Sequence, residues 1–228
     1  LPIDNGNSAC PPDFQDKCLK LLSSERPGNP MPHQLQGAYW LHLLHRSGRP
    51  GAILADSPGV GKTLQILLFV LMHPGTDLHG SADVNRATLV ACPDSIVEQW
   101  MGEAKKWAPS TFKCRTFEGG AIEEGVDMLV IGFSKLMQEL HKLAAAPRAT
   151  RRRAKAPLPA SPLACGFVRI VLDEVQICKG NTSLALHHIP TLRRVVASGT
   201  PADDLASLKH LLRFVLPDFE GVRTDVEA

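Results

Sequence analysis

One segment of the chain carries residues suited to binding phosphate. From Ile53 to Gln65, an apolar run gives way to a loop of small residues and then to a helical pattern. Gly59 and Gly61 can adopt positive φ, so the turn can present successive backbone N–H groups to phosphate oxygens at a helix N-terminus. Lys62 can then reach the β- and γ-phosphates, and Thr63 can offer its hydroxyl to Mg²⁺. The pattern predicts a site for ATP or GTP, the alternative being a glycine-rich turn without a ligand.

Two adjacent carboxylates form a second candidate site. Asp173 and Glu174 follow the apolar run 167–172, where acids are costly unless they meet a cation or water. In a phosphate-loop fold, Asp173 can hold Mg²⁺ through its hydration shell, and Glu174 can orient and deprotonate the attacking water. An acidic strand end that simply enters a turn is the alternative.

Composition excludes several classes of protein. Of the 228 residues, 44% are hydrophobic and 21% are charged, which is ordinary for a globular protein. A net charge of +2 is too small to indicate a nucleic-acid partner. No run of about 18 apolar residues is present, so neither a membrane span nor a membrane partner is expected. The six cysteines form no C-x-x-C pair, which favours reduced thiols in an intracellular protein over zinc or a disulfide framework.

Strand and helix patterns alternate along the chain. Strands are predicted around 53–55, 87–91, 113–117, 127–133, 167–172 and 193–197, and helices over 13–22, 31–44, 64–73, the stretch ending at Trp107, 134–143 and 203–215. Asp94 or Ser95 is expected to cap the fourth helix. In the last helix, the apolar side is expected to carry Leu205, Leu208, Leu211 or Leu212, and Val215. The alternation predicts an α/β fold, with a mostly parallel sheet covered by helices on both faces.

Segment composition also suggests the domain boundaries. Residues 1–30 are rich in Pro, Gly, Asn and Ser and are interpreted as a lead-in segment. Residues 144–166 interrupt the pattern and are interpreted as a flexible basic insertion. Its run from Arg151 to Lys155 suits a nuclear-import signal or a loose contact with phosphates, or it is a solvated charge run.

A glutamine near the start of the second helix is another candidate. The amide of Gln34 can donate and accept hydrogen bonds at once, as reading the edge of adenine requires. A surface glutamine at a helix start is the alternative.

Taken together, these segments resemble the N-terminal ATPase lobe of SWI/SNF-type chromatin-remodelling proteins, in superfamily two of the helicase-like translocases. The resemblance runs from about residue 31 to 217 and implies a RecA-like phosphate-loop lobe, with residues 218–228 as a tail toward a missing second lobe. It implies ATP and Mg²⁺ as ligands and Lys62, Asp173 and Glu174 as catalytic residues, with Thr63 and Asp173 at the metal. The nucleotide-binding residues that it implies are Gln34, Asp56, Ser57, Pro58, Gly59, Val60, Gly61, Lys62, Thr63 and Leu64.

The same resemblance implies contacts beyond the nucleotide. Ser95, Gly132 and Ser134 fall where family members contact DNA. Residues expected to couple hydrolysis to DNA movement are Gln176, Ser198, Gly199 and Thr200. The implied partners are duplex DNA or a nucleosome and a second helicase-like lobe in cis, and the implied location is the nucleus.

Departures from the family pattern refine these expectations. Ser57-Pro58 stands where the family usually has Glu-Met, and Gln176 replaces a histidine. Gln176 and Ser198 lean toward the SHPRH-type subgroup, whose members carry ubiquitin-ligase modules elsewhere. The second lobe supplies arginines that stabilise the transferring phosphoryl group, so this chain is expected to bind ATP better than it hydrolyses it. Two functions are weighed: the ATP-binding lobe of a DNA-dependent ATPase that moves on duplex DNA, and a degenerate or stand-alone ATP-binding scaffold or switch without turnover.

Overall fold

A parallel β-sheet forms the centre of the structure, a computed structural model that describes residues 9–75, 85–145, 161–175, 186, 189–202 and 204–216. Within these ranges, the sheet has six strands in the order β1-β6-β5-β2-β4-β3. All neighbouring strands run parallel. The strands are β1 (Gly51–Leu54), β2 (Asn85–Cys92), β3 (Cys114–Thr116), β4 (Met128–Gly132), β5 (Phe167–Asp173) and β6 (Thr191–Ala197).

Helices connect the strands and flank the sheet. They are α1 (Pro12–Leu21), α2 (Pro32–Arg46), α3 (Lys62–Met72), α4 (Val97–Trp107), α5 (Phe133–Ala145) and α6 (Leu205–Val215). Short 3₁₀ turns lie at Asp94–Ile96 and Pro162–Cys165. Pro32 suits the first turn of α2 because its missing N–H would have no partner inside the helix.

The hydrophobic core is divided into two layers by the sheet. Side chains of α1 to α4 pack with Val90, Val130 and Val171 on one face. Side chains of α5 and α6 pack with the strand neighbours Leu89, Leu129, Ile131, Ile170 and Leu172 on the other. This alternation follows from the period of two in a strand. Helices on both faces of a parallel sheet confirm the predicted fold class.

The carboxyl ends of the strands gather the candidate site residues at one edge. Asp173 is in register with Ala197 of β6, and Ala197 is in register with Leu54 of β1. On the other side of β5, Cys92 is in register with Gly132. The phosphate loop, the acidic pair and the turns after β2, β4 and β6 therefore meet at one edge, where ligands bind in open α/β sheets.

One local prediction was wrong, and a second was wrong in part. Neither Asp94 nor Ser95 caps α4, whose N-cap is Ile96, because the residues before it form a 3₁₀ turn. In α6, Leu211 and Val215 are buried as predicted, but Leu205 and Leu208 are 61% and 38% exposed, since the helix turns Leu211, Phe214 and Val215 toward the sheet.

Other predictions lie partly or wholly outside the described residues. These include most of the basic insertion, the tail, Gln176 and Asp203. No disulfide joins any of the cysteines in the described ranges (Cys10, Cys18, Cys92, Cys114 and Cys165). No helix in the described ranges has the length and apolar character needed to cross a membrane.

Candidate nucleotide-binding site

The phosphate loop has the backbone geometry that its glycines predict. Gly59 and Gly61 have φ of 83° and 85°, in the left-handed region that favours glycine. Gly61 is the N-cap of α3, so the loop leads directly into a helix N-terminus. A Cβ at Gly61 would overlap the side-chain amide nitrogen of Gln34. Both the left-handed turn and this close approach therefore require glycine at position 61.

Lys62 lies inside the curve of this loop. Its ammonium donates hydrogen bonds to the carbonyl oxygens of Asp56 (2.9 Å) and Ser57 (3.2 Å). The side chain is 7% exposed, whereas residues 56–59 of the loop are exposed. An ammonium has three donors, so this arrangement fixes the position of the charge and leaves a donor for a phosphate oxygen.

Thr63 and Leu64 occupy the first turn of α3 after Lys62. Thr63 is half-buried, and the Leu64 side chain is buried in the core. The Leu64 N–H donates to the Gly61 carbonyl at 3.1 Å. Leu64 therefore anchors the helix start through its side chain, and any contact with nucleotide would come from its backbone.

The start of α2 braces the phosphate loop. The Gln34 amide donates to the Val60 carbonyl at 3.2 Å and accepts from the Met31 N–H at 2.9 Å. His33 Nε2 lies 2.9 Å from the same Val60 oxygen and donates to it, because a carbonyl can only accept. Both ends of the Gln34 amide are thus engaged within the chain, and adenine recognition by Gln34 stays a prediction. Sequence reasoning missed His33, although it precedes Gln34 directly.

A buried glutamine on α3 holds the first acid of the loop. Gln65 is fully buried and donates to Asp56 Oδ2 at 3.0 Å. The Gln65 Oε1 atom lies against Gly37 of α2, where a Cβ would overlap it. Asp56 is therefore fixed by α3 at the base of the exposed loop, with α2 packed behind it.

The acidic pair at the end of β5 is held by contacts with α4 and β6 and by a hydrogen bond within the pair. Asp173 Oδ2 accepts from the indole N–H of Trp100 on α4 at 2.8 Å, and Asp173 Oδ1 accepts from the Glu174 N–H at 3.0 Å. The Glu174 N–H also donates to the Ala197 carbonyl at 2.8 Å. Glu174 has φ of 51°, the only positive φ of a residue other than glycine in the described ranges. Such a conformation costs on the order of 1–2 kcal/mol and is typically retained at functional sites.

Burial and hydrogen bonding act in opposite directions on the pKa of Asp173. Burial raises its pKa, and the neighbouring Glu174 charge adds to this. The hydrogen bond from Trp100, the backbone N–H and the Lys62 charge lower it. A divalent cation at the carboxylate would favour the ionised form further. This environment suits a carboxylate that meets positive charge.

The turn after β6 packs against the phosphate loop. The Ser198 N–H donates to the Leu54 carbonyl at 3.1 Å, and the Thr200 N–H donates to Ser198 Oγ at 3.1 Å. A Cβ at Gly199 would lie 2.7 Å from Cδ of Pro58. The turn thus lies against the nucleotide-binding loop at Gly199, while the role of Ser198, Gly199 and Thr200 in coupling stays a prediction.

The three positions predicted to contact DNA lie close together at the same edge. Ser95 is exposed on the turn after β2, and Ser134 is exposed just after Gly132 ends β4. The Ser134 hydroxyl and N–H both donate to Asp94 Oδ2, at 2.6 and 3.3 Å. Gly132 admits this carboxylate, because a Cβ there would overlap Asp94 Oδ1. Sequence reasoning missed this role of Asp94. Its carboxylate accepts hydrogen bonds from the two Ser134 donors that were predicted to face DNA.

The residues at this edge fit a nucleoside triphosphate with Mg²⁺. The positive-φ glycines open a turn at a helix N-terminus, and Lys62 brings a fixed charge to it. Thr63 and Asp173 carry oxygen atoms of the kind that Mg²⁺ prefers as ligands. All of these groups belong to elements that converge on the same sheet edge.

Comparison with known proteins places the chain in a family. A family model described as the SNF2-related domain matches residues 33–225. The chain is 29% identical over 211 residues to DNA repair and recombination protein RAD54B of Gallus gallus, covering 85% of this chain and 21% of that protein. It is 31% identical over 219 residues to DNA repair and recombination protein RAD54-like of Drosophila grimshawi, covering 85% of this chain and 25% of that protein. It is 28% identical over 233 residues to Protein CHROMATIN REMODELING 19 of Arabidopsis thaliana, covering 90% of this chain and 27% of that protein.

Solved structures show the same fold. The Sulfolobus solfataricus SWI2/SNF2 ATPase core in complex with dsDNA matches with a TM-score of 0.63 and 20% identity, covering 85% of this chain and 37% of that one. The chain spans only 21% to 27% of the three curated relatives described above. These matches confirm the broader resemblance inferred from the motifs: the chain belongs to the family of proteins with an SNF2-related domain.

Proposed function

We propose that this chain is the ATP-binding lobe of a DNA-dependent ATPase, which moves on duplex DNA when it is joined to a second helicase-like lobe. The observation that carries the proposal is the convergence of three groups at one sheet edge. These are the Lys62 loop, the pair Asp173 and Glu174, and the turn at Ser198–Thr200, which touches the loop through Pro58. A site for binding alone would not require a strained glutamate beside a buried carboxylate.

Each group has a distinct role in this proposal. Lys62 binds the β- and γ-phosphates of ATP, and Thr63 and Asp173 hold Mg²⁺. The metal, when bound, neutralises charge on the phosphates. Glu174 orients the attacking water and accepts its proton, and the Asp173 contact with its N–H fixes the backbone from which it extends. Gln34 and His33 hold the loop from the side of α2.

The whole protein is proposed to be larger than this lobe. The relatives named above are several times longer than the matched segment, and their names refer to DNA repair, recombination and chromatin remodelling. A nuclear location and a DNA or nucleosome partner are proposed on that basis. We also propose the division into a lead-in (1–30), a lobe with a basic insertion (31–217) and a tail (218–228). Ser198 and Gln176 support the SHPRH-type subgroup and its ubiquitin-ligase modules as the finer assignment.

Hydrolysis tests this function directly. In a protein that joins this lobe to a second helicase-like lobe, Glu174→Gln should retain ATP binding and lower DNA-stimulated turnover by about 100-fold or more, because an amide cannot accept the proton from water. Glu118→Gln, on an exposed loop, is the matched control and should leave turnover unchanged. Unchanged turnover in the Glu174 variant would assign the base to another residue. ATP binding without turnover in the unsubstituted two-lobe protein would favour the scaffold or switch.

Contact with DNA is proposed at Ser95, Gly132 and Ser134. The Ser134 hydroxyl and N–H bond Asp94 in the structure and would exchange that carboxylate for a phosphate. Backbone N–H groups and hydroxyls at these positions would then place a duplex without reading bases, so binding should be weak, indifferent to sequence and sharply reduced by salt, with a shallow slope. The competing contact is the basic insertion. If deletion of residues 146–159 abolishes DNA affinity while Ser95→Glu and Ser134→Glu leave it unchanged, the insertion is the true contact.

A further inference from the structure

Trp100 connects α4 to the candidate metal site. It is fully buried, and its indole N–H donates to Asp173 Oδ2 across 73 positions of sequence. The helix that carries Trp100 starts at the 3₁₀ turn after β2, whereas Asp173 ends β5. The bond therefore joins a helix and a strand end that are far apart in sequence.

This bond fixes a specific orientation of the Asp173 carboxylate. One carboxylate oxygen accepts from Trp100 and the other from the Glu174 N–H. One donor on α4 and one on the residue after Asp173 leave the side chain little freedom to rotate about its Cβ–Cγ bond. Each oxygen keeps a further acceptor site, so a cation or its hydration water can still bind.

The neighbouring tryptophan shows what a purely structural indole contact looks like. Trp107 also lies on α4 and is also buried, but its N–H donates to Glu103 one turn earlier on the same helix, at 2.8 Å. Buried tryptophans usually find a hydrogen-bond partner, and a local one satisfied Trp107. Trp100 instead bonds the strand-end carboxylate at the nucleotide edge.

We propose that Trp100 is a positioning residue, which holds Asp173 in the orientation that binds Mg²⁺ with the nucleotide. The proposal rests on the proposed function, because the role of Asp173 as a Mg²⁺ ligand is part of that function. Groups that orient metal ligands in this way typically contribute about 10- to 100-fold to metal affinity.

Trp100→Phe removes the indole N–H and keeps an aromatic side chain in the core. The probe is a fluorescent ATP analogue, titrated with the protein first in EDTA and then at increasing Mg²⁺. The variant should need about tenfold or more Mg²⁺ for half-maximal enhancement of binding, with unchanged affinity in EDTA. Trp107→Phe is the matched control on the same helix and should change neither quantity.

A second variant separates orientation from packing. Trp100→benzothienylalanine replaces the N–H by sulfur and keeps the shape of the ring system, so it should shift the Mg²⁺ dependence as Trp100→Phe does, even if the phenylalanine variant does not fold. Wild-type Mg²⁺ dependence in either folded variant would overturn the proposal. An equal loss of affinity in EDTA and in Mg²⁺ would also overturn it, because that result indicates a general packing defect. If the unsubstituted protein shows no Mg²⁺-dependent binding of the analogue, the proposed function itself fails.

Discussion

Three histidines, of which His73 is buried and His42 and His45 are half-buried, form a cluster at the junction of α2 and α3, and this cluster should make the protein sensitive to acid. His42 Nδ1 lies 2.9 Å from His73 Nε2, and the rings of His45 and His73 have centroids 4.0 Å apart. The His73 carbonyl accepts from Arg169, which is itself buried. The hydrogen bond between His42 and His73 needs one ring nitrogen that donates and one that accepts, so it suits neutral rings. Protonating both rings would place two N–H groups against each other.

Burial lowers the pKa of His73 from 6.5 to about 3, and the neighbouring His45, His42, Arg169 and Arg46 add to the effect. Burial also lowers the pKa of His45, to about 4. Below an ordinary pKa of 6.5, the unfolded chain therefore binds protons that the folded chain does not. The free energy of unfolding falls as pH drops from 6.5 toward these folded pKa values.

The magnitude for His73 follows from its pKa shift. His73 is only 8% exposed, so solvent screening is small. Each pH unit between the two pKa values changes the free energy of unfolding by about 1.4 kcal/mol. At about pH 5, His73 alone should therefore lower stability by about 2 kcal/mol relative to about pH 7.5. His45 is half-buried, so its contribution has the same sign and is smaller.

His73→Gln isolates this contribution, because glutamine can still donate to His42 but does not titrate. Urea unfolding at about pH 5 and about pH 7.5 should show that the variant loses about 2 kcal/mol less on acidification than the parent protein. His141→Gln, on the exposed side of α5, is the control and should follow the parent. Parallel losses in the His73 variant and the parent would refute the assignment of acid sensitivity to this cluster.

Two further predictions concern loops at the nucleotide edge. Gly199→Ala should lower the free energy of unfolding by about 1–3 kcal/mol, since the new Cβ overlaps the Pro58 ring, and Pro58→Ala should recover part of that loss in a double-mutant cycle measured by urea unfolding. Additive effects would show that the two side chains do not couple. Asp94→Asn removes a negative charge beside Ser134, so DNA affinity measured by anisotropy at low salt should rise by up to about fivefold. Unchanged or weaker binding would place the DNA away from this turn.

The phosphate loop and the acidic pair could be predicted from the sequence because their signals are local. Glycine, lysine and threonine follow one another in the loop, and Asp173 directly follows an apolar strand. The fold class followed in the same way from alternating strand and helix patterns. Each of these patterns depends on neighbours within a few residues, where periodicity and turn chemistry decide the structure.

Contacts between distant segments were the part that could not be predicted. Asp94 looked like a helix cap, but its carboxylate bonds Ser134, forty positions further along the chain. The partner of Trp100 is equally remote in sequence. In α6, the leucines at 205 and 208 have helical spacing, yet the path of the helix over the sheet exposes them. Tertiary packing decides such contacts, and no local pattern encodes them.

The ATP affinity of the Lys62→Ala variant, compared with that of the parent protein, tests the central claim most directly. Isothermal titration with ATP and Mg²⁺ should show that Lys62→Ala loses about 10- to 100-fold in affinity, the value of one charge-assisted hydrogen bond to phosphate. Lys105→Ala, an exposed lysine on α4, should bind as the parent does, and both variants should unfold cooperatively. Equal ATP affinity in the Lys62 variant and the parent would contradict the account.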